Sequence, residues 1–201
     1  PGIGVIKKFQ SLKEKVDLAK QNQRMIRNML CKEFNINESD TDAWLSFSDF
    51  NNESVFDLTS LKPRYFIGGI DLSATTDLTC ATAIFGMRDQ PNKLYVLQQY
   101  FMPSDLFDER MKDDRIPYDK WKDQGIIQLS GDSKVDYKDI TKWFTMLQME
   151  HDIYPFKIGY DAWSSGYLIE ELKNAFGPAV PEAIFQGFKS LSSPMKSLAA
   201  E

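Results

Sequence analysis

Two aspartates, Asp71 and Asp161, each end an apolar run, in YFIGGID and FKIGYD, and small or hydroxyl-bearing residues soon follow. Either residue alone permits a structural role, because an Asp braces turns and is favoured near a helix N-terminus. If the two apolar runs form neighbouring strands, however, the strand ends lie about 4.8 Å apart. Two carboxylates at that separation favour a bound cation, and the sequence therefore predicts a shared metal site.

The ligand types select the kind of metal. Hard carboxylate oxygens without nearby His or Cys favour Mg²⁺ or Mn²⁺, and the single His of the chain argues against zinc. Two such ions, about 4 Å apart, can hold a phosphodiester for in-line hydrolysis. We therefore predict Asp71 and Asp161 as catalytic metal ligands. Ser73 and Asp77, in the turn that follows Asp71, are expected to support the ligands or to bind metal themselves.

The elements around these acids indicate an α/β protein with a mixed sheet covered by helices. Three antiparallel strands are predicted first, at residues 65–72, 79–85 and 94–101. Helices and strands then alternate: helices at about 104–114 and 117–124, a strand at 126–130, a helix at 136–150 capped by Asp136, a strand at 156–161, a helix that Gly177-Pro178 ends, a strand at 183–186, and a last helix that Ser193-Pro194 opens. Trp143, Phe144 and Trp163 are expected in the core rather than as base-stacking platforms.

The N-terminal part differs from this body. An i, i+3, i+4 apolar stripe predicts a helix over residues 9–33, and a polar connector with aromatic anchors follows. The formal net charge of −5 argues against a protein that coats nucleic acid, although metal ions and local Lys/Arg patches can still allow action on DNA. No phosphate-binding GxxxxGK[ST] loop is present, and no apolar run approaches the roughly 20 residues of a membrane span.

An ordered set of segments, PGIGVIK, DAWLSFSDF, GGIDLSATTDLT, GYDAW and QGFKSLSSPMKSL, resembles the large terminase subunit of tailed bacteriophages and prophages. The resemblance implies a ribonuclease H-like nuclease domain at residues 62–201. Residues 1–61 would be a helical connector from a packaging ATPase domain that is absent here. Asp71 and Asp161 match the first two catalytic acids of the family. The third acid is expected past Glu201, so the truncated domain is expected to bind metal weakly and to cut DNA poorly.

By the same resemblance, the expected function is metal-dependent cleavage of concatemeric double-stranded DNA in the cytoplasm of an infected or lysogenic bacterial host. The expected partners are DNA, the ATPase domain of the same polypeptide, the portal protein and the small terminase subunit, with no membrane. Four basic residues are candidates for phosphate contact or for solvated surface charges: Arg88, Lys93, Lys189 and Lys196.

Two alternatives remain open from the sequence. One is a non-catalytic docking module of the packaging motor, in which the basic helix and the aromatic connector bind a partner. The other is a fragment of an actin-like kinase or ATPase, because Gly69-Ile70-Asp71 followed by Thr75-Thr76 resembles the phosphate turn of those proteins. That turn needs glycine where this chain has Ser73-Ala74.

Overall fold

The chain divides into two compact units, Pro1–Ser54 and Val55–Glu201. A computed structural model describes residues 9–20, 52, 54–73, 78–114, 116–163 and 166–198. In the first unit, helix α1 spans Phe9–Lys20. The rest of the predicted helix, up to residue 33, and most of the polar connector lie outside the described residues.

The second unit begins a few residues before the predicted boundary after residue 61. Phe56, Leu58 and Leu61 pack against its main core, so this stretch belongs to the body. The elements of the unit, in chain order, are α2 (Leu58–Leu61), β1 (Tyr65–Asp71), β2 (Thr79–Met87), β3 (Gln90–Met102), α3 (Ser104–Asp114), α4 (Tyr118–Asp123), β4 (Ile127–Leu129), α5 (Tyr137–His151), β5 (Tyr154–Asp161), α6 (Gly166–Phe176), β6 (Pro181–Ile184) and α7 (Phe188–Leu198).

The six strands form one mixed sheet in the order β4-β3-β2-β1-β5-β6. Strands β1, β2 and β3 form the predicted antiparallel meander. Strand β5 is parallel to β1, and β6 is parallel to β5, as expected for strands that helical crossovers connect. The short strand β4 extends the other end of the sheet, parallel to β3. The predicted mixed α/β sheet is confirmed.

The two faces of the sheet are in different environments. On one face, Phe66 stacks on Phe144 of α5 with ring centroids 5.6 Å apart, and Leu168 and Leu172 of α6 are fully buried. Gly68 leaves little room beneath this packing, because an added Cβ would lie only 3.0 Å from Ile158 and 3.1 Å from Phe144. The opposite face exposes apolar side chains, such as Ile67, Ile84 and Val96. The candidate site lies on this exposed face, where the strands β1 and β5 end.

A smaller core stands beside the main one. Met102, Phe107, Tyr118 and Ile127 are buried together, and they come from the end of β3 and from α3, α4 and β4. Residues 104–129 thus lie between the meander and the first crossover helix. They pack around this second apolar cluster, and β4 adds to the sheet beside β3, away from the β1–β5 pair.

Helix boundaries show where local signals succeed and where they fail. Asp136 caps α5 as predicted, accepting a hydrogen bond from the Lys138 amide at 3.0 Å. The last helix does not begin at Ser193-Pro194 as predicted: α7 begins at Phe188 and contains Pro194. Its first turn is already closed by the Leu191 amide, which donates to the Gly187 carbonyl at 2.9 Å. Among the described residues, no helix is both long enough and apolar enough to cross a membrane.

Candidate active site

Asp71 and Asp161 end neighbouring parallel strands. In the β1–β5 ladder Gly69 lies opposite Gly159, and Ile70 lies opposite Tyr160. The next residues, Asp71 and Asp161, are the last of their strands. Residues in register on adjacent strands point to the same side of a sheet, with backbones about 4.8 Å apart. The two acids therefore end adjacent strands at one sheet edge, which is the strand arrangement that the predicted shared site requires.

The two acids belong to a row of residues that crosses the sheet. Asp71 lies opposite Cys80 of β2, and Cys80 lies opposite Tyr100 of β3. On the other side, Asp161 lies opposite Ile184 of β6. The side chains that flank the acids on the meander side are therefore a thiol and a phenol. These groups can donate or accept hydrogen bonds next to a carboxylate.

The neighbours of Asp71 are uncharged at neutral pH. Burial raises the pKa of the Cys80 thiol, and the negative charge of Asp71 adds to the rise, against hydrogen bonds from Thr82 and Tyr100. Burial also raises the pKa of the Tyr100 phenol, and the adjacent Cys80 contributes. The negative charge of the row therefore comes from Asp71, which is exposed, and Asp161, which is half-buried.

The turn after β5 holds the Asp161 carboxylate in place. The Trp163 amide donates to Asp161 Oδ1 at 3.1 Å. The Ala162 amide donates to the Ile184 carbonyl at 3.0 Å, which ties the same turn to the end of β6. These two backbone hydrogen bonds hold Asp161 in place at the end of β5. Its side chain lies at the open edge of the sheet.

The turn after β1 is only partly described. The Ser73 amide donates to the hydroxyl of Thr79, a fully buried residue, at 3.1 Å. This bond closes the loop between β1 and β2 and places Ser73 beside the end of β1. Asp77 lies within residues 74–77, outside the described residues, and its role stays a prediction. Within the described part of the chain, no three His, Cys, Asp or Glu side chains converge in a way that could hold a metal ion.

The four basic candidates fall into two separate groups. Lys189 and Lys196 are both exposed on α7, seven residues apart and thus on one side of that helix. Arg88 lies in the β2–β3 turn and Lys93 in β3, where its ammonium sits 4.9 Å from the centre of the Tyr95 ring. The hairpin is at the sheet edge opposite the acids, about 24 Å along the strands.

The aromatic residues also divide. Trp143 and Phe144 are buried in the main core, as predicted. The prediction for Trp163 is wrong, because 87% of this residue is exposed. It follows the last residue of β5 by two positions, in the turn that precedes α6, so it lies beyond the buried part of the strand. Its position two residues after an acid that ends a strand is the sequence signal that pointed to the surface.

A three-stranded antiparallel meander extended by parallel strands, with helices packed on one face and acids at the strand ends, defines a ribonuclease H-like α/β domain. The family model for the terminase large subunit, endonuclease domain, matches residues 1–200. The chain belongs to this family.

Two relatives are longer than the part that this chain matches. It is 30% identical over 156 residues to the terminase large subunit of Enterobacteria phage HK97, a match that covers 75% of this chain and 30% of that protein. The crystal structure of the HK97 bacteriophage large terminase superposes with a TM-score of 0.61 at 21% identity, covering all of this chain and 40% of that one. The chain therefore spans less than half the length of these relatives.

Proposed function

We propose that this chain is a metal-dependent endonuclease domain that cleaves concatemeric double-stranded DNA by two-metal phosphodiester hydrolysis. The observation that carries the proposal is the register of β1 and β5, which brings Asp71 and Asp161 to one sheet edge. Family membership favours this function over the docking module and the actin-like kinase, because the matching family is an endonuclease domain.

The donor set at this edge fits a hard divalent cation. Asp71 and Asp161 offer carboxylate oxygens, the ligands that Mg²⁺ and Mn²⁺ prefer. A cation offsets the repulsion between two carboxylates on adjacent strand ends, whose backbones lie about 5 Å apart. Bound there, Mg²⁺ or Mn²⁺ supplies Lewis-acid chemistry to a phosphodiester.

Residues of the chain hold the proposed metal-binding carboxylates in position. The Trp163 amide limits rotation of the Asp161 carboxylate through its 3.1 Å hydrogen bond, and such preorganisation lowers the cost of reaching a reactive geometry. The neutral Cys80 and Tyr100 keep further negative charge out of the row. An anionic phosphodiester can thus approach without meeting a third charged group from the meander.

The wider setting follows the family. We propose that the domain works next to a packaging ATPase domain of the same polypeptide, with the portal protein and the small terminase subunit as partners. Its place of action would be the cytoplasm of the bacterial host. Lys189 and Lys196 on α7 are proposed as phosphate contacts near the cut. Arg88 and Lys93 would contact DNA only at a distance from it.

The test combines metal binding with plasmid cleavage. The unaltered chain is expected to show weak Mn²⁺ binding by calorimetry and slow Mn²⁺-dependent nicking of supercoiled plasmid, and both should be lost in Asp71→Asn and in Asp161→Asn. Asp89→Asn, in the β2–β3 turn at the opposite edge, is the matched control and should behave as the unaltered chain. Equal Mn²⁺ affinity in all four proteins, or nicking that survives Asp71→Asn, would refute the proposed site.

A further inference from the structure

Trp163 is exposed in a way that the fold does not require. Trp143 lies in the main core and Trp121 packs against the smaller one, whereas 87% of Trp163 is exposed to solvent. Leaving a large aromatic surface in water forgoes the favourable free energy of burying it. An indole in such a place is available to another molecule.

The backbone ties Trp163 to the candidate site. Its own amide donates to Asp161 Oδ1, so the residue that carries the indole is bonded directly to a predicted metal ligand. The Ala162 amide anchors the same turn to β6. The exposed indole therefore starts from a fixed point at the edge where the scissile phosphate is proposed to bind.

The surface around this point combines aromatic and basic residues. Phe185 and Phe188 follow β6 at the same edge, and both are largely exposed. Lys189 comes next, also exposed, at the start of α7. Aromatic faces interleaved with cations are the pattern with which proteins bind unpaired nucleotides, where bases stack on the rings and lysines meet phosphates.

We propose that Trp163 is a positioning residue that stacks on an unpaired base next to the phosphate bound at Asp71 and Asp161. The inference rests on the proposed nuclease function and adds a preference to it: DNA that is single-stranded or locally unpaired at the cut binds more tightly than intact duplex. Stacking needs an accessible base face, which a continuous duplex hides. A protein partner on the same surface is the competing occupant.

The experiment measures DNA affinity without metal, so that it does not depend on catalysis. A labelled thymidine oligonucleotide of about 12 residues, and the same strand with abasic positions, are titrated in EDTA against the unaltered chain, Trp163→Ala and Trp163→Phe. Phe156→Ala is the matched control, because Phe156 is an exposed aromatic near the start of β5, at the opposite end of the strand from Asp161.

Trp163→Ala should weaken binding of the thymidine strand by about 5- to 150-fold, and Trp163→Phe should retain most of the affinity of the unaltered chain. The abasic strand should bind the unaltered chain as weakly as Trp163→Ala binds the thymidine strand. Tryptophan fluorescence should fall on addition of the thymidine strand, and this quenching should be absent in Trp163→Phe. Phe156→Ala should match the unaltered chain.

Two results would overturn the inference alone. One is equal affinity of Trp163→Ala and the unaltered chain for the thymidine strand, with plasmid nicking intact. The other is unchanged DNA affinity together with loss of self-association in sedimentation, which would assign the indole to a protein contact. Failure of the unaltered chain to bind any DNA would instead remove the proposed function, and this inference with it.

Discussion

Replacing Asp71 by Asn should change stability in opposite directions with and without metal. In EDTA, the charges of Asp71 and Asp161 repel each other from adjacent strand ends, and the inter-strand spacing of about 5 Å sets the scale of their separation. Coulomb's law gives about 3 kcal/mol at an effective dielectric constant near 20 and about 1 kcal/mol in bulk water. Because Asp71 is exposed, the lower value applies, and salt reduces it further. Asp71→Asn should therefore stabilise the metal-free fold by at most about 1 kcal/mol.

The assay is thermal unfolding followed by differential scanning fluorimetry. For a chain of 201 residues, about 1 kcal/mol corresponds to a Tm increase of about 2–4 °C. Mn²⁺ at ten times its Kd should stabilise the unaltered chain by about 1.4 kcal/mol, which is about 3–6 °C. The variant should gain little from the metal. The order of the two melting temperatures therefore reverses between EDTA and Mn²⁺.

The control for this experiment is Asp89→Asn, which removes the same charge from the opposite sheet edge and should respond to Mn²⁺ as the unaltered chain does. A lower Tm for Asp71→Asn in EDTA would mean that the carboxylate stabilises the metal-free fold, contrary to the repulsion argument. An equal rise with Mn²⁺ in both proteins would show that the metal binds elsewhere. Either result refutes the shared-site geometry.

Three further predictions concern the body that holds the site. Gly68→Ala should lower stability by about 1–3 kcal/mol in urea unfolding, because its Cβ would press on Phe144. Gly69→Ala should not destabilise, since nothing lies within 4 Å of its added Cβ; equal losses in both variants would contradict the two-faced sheet. Burial alone would raise the pKa of Asp139. Hydrogen bonds from Lys142 and Ser130 outweigh burial and lower this pKa below its usual value. Its contribution to stability is therefore present above the unfolded value of about 4, and it is lost as the pH falls through the lower folded value. An Asp139→Asn variant should show a flatter unfolding free energy between about pH 5 and pH 2, and an unchanged slope would exclude this contribution.

The central sheet was predictable because each of its strands carries a strong local pattern. Alternation in Tyr65–Asp71 separates buried Phe66 and Ile70 from exposed Tyr65 and Ile67. Adjacent placement of the acid-bearing strands did not follow from periodicity alone. The resemblance to terminases predicted that these two strands are adjacent, and the pairing of β1 with β5 confirms it. The roles of the two acids as metal ligands stay a prediction.

The misses have physical causes of their own. Pro194 normally indicates a helix start, but the apolar stripe of Phe188, Leu191 and Met195 continues through it, and the helix forms over the whole stripe. Trp163 was expected in the core because large aromatic residues usually are buried. Trp163 lies in the turn beyond the last residue of β5. Residue type alone does not show whether a residue falls inside a strand or in the turn after it.

The separation between the acids and the β2–β3 hairpin sets a minimum footprint. The strands run about 24 Å from the row of acids to the start of the turn that contains Arg88, and duplex DNA rises about 3.4 Å for each base pair. A duplex that contacts both the acids and the β2–β3 hairpin would lie along the strands, and about seven of its base pairs would lie over the open face of the sheet. Oligonucleotides shorter than that would engage one end at a time, and their affinity would lose its dependence on Arg88.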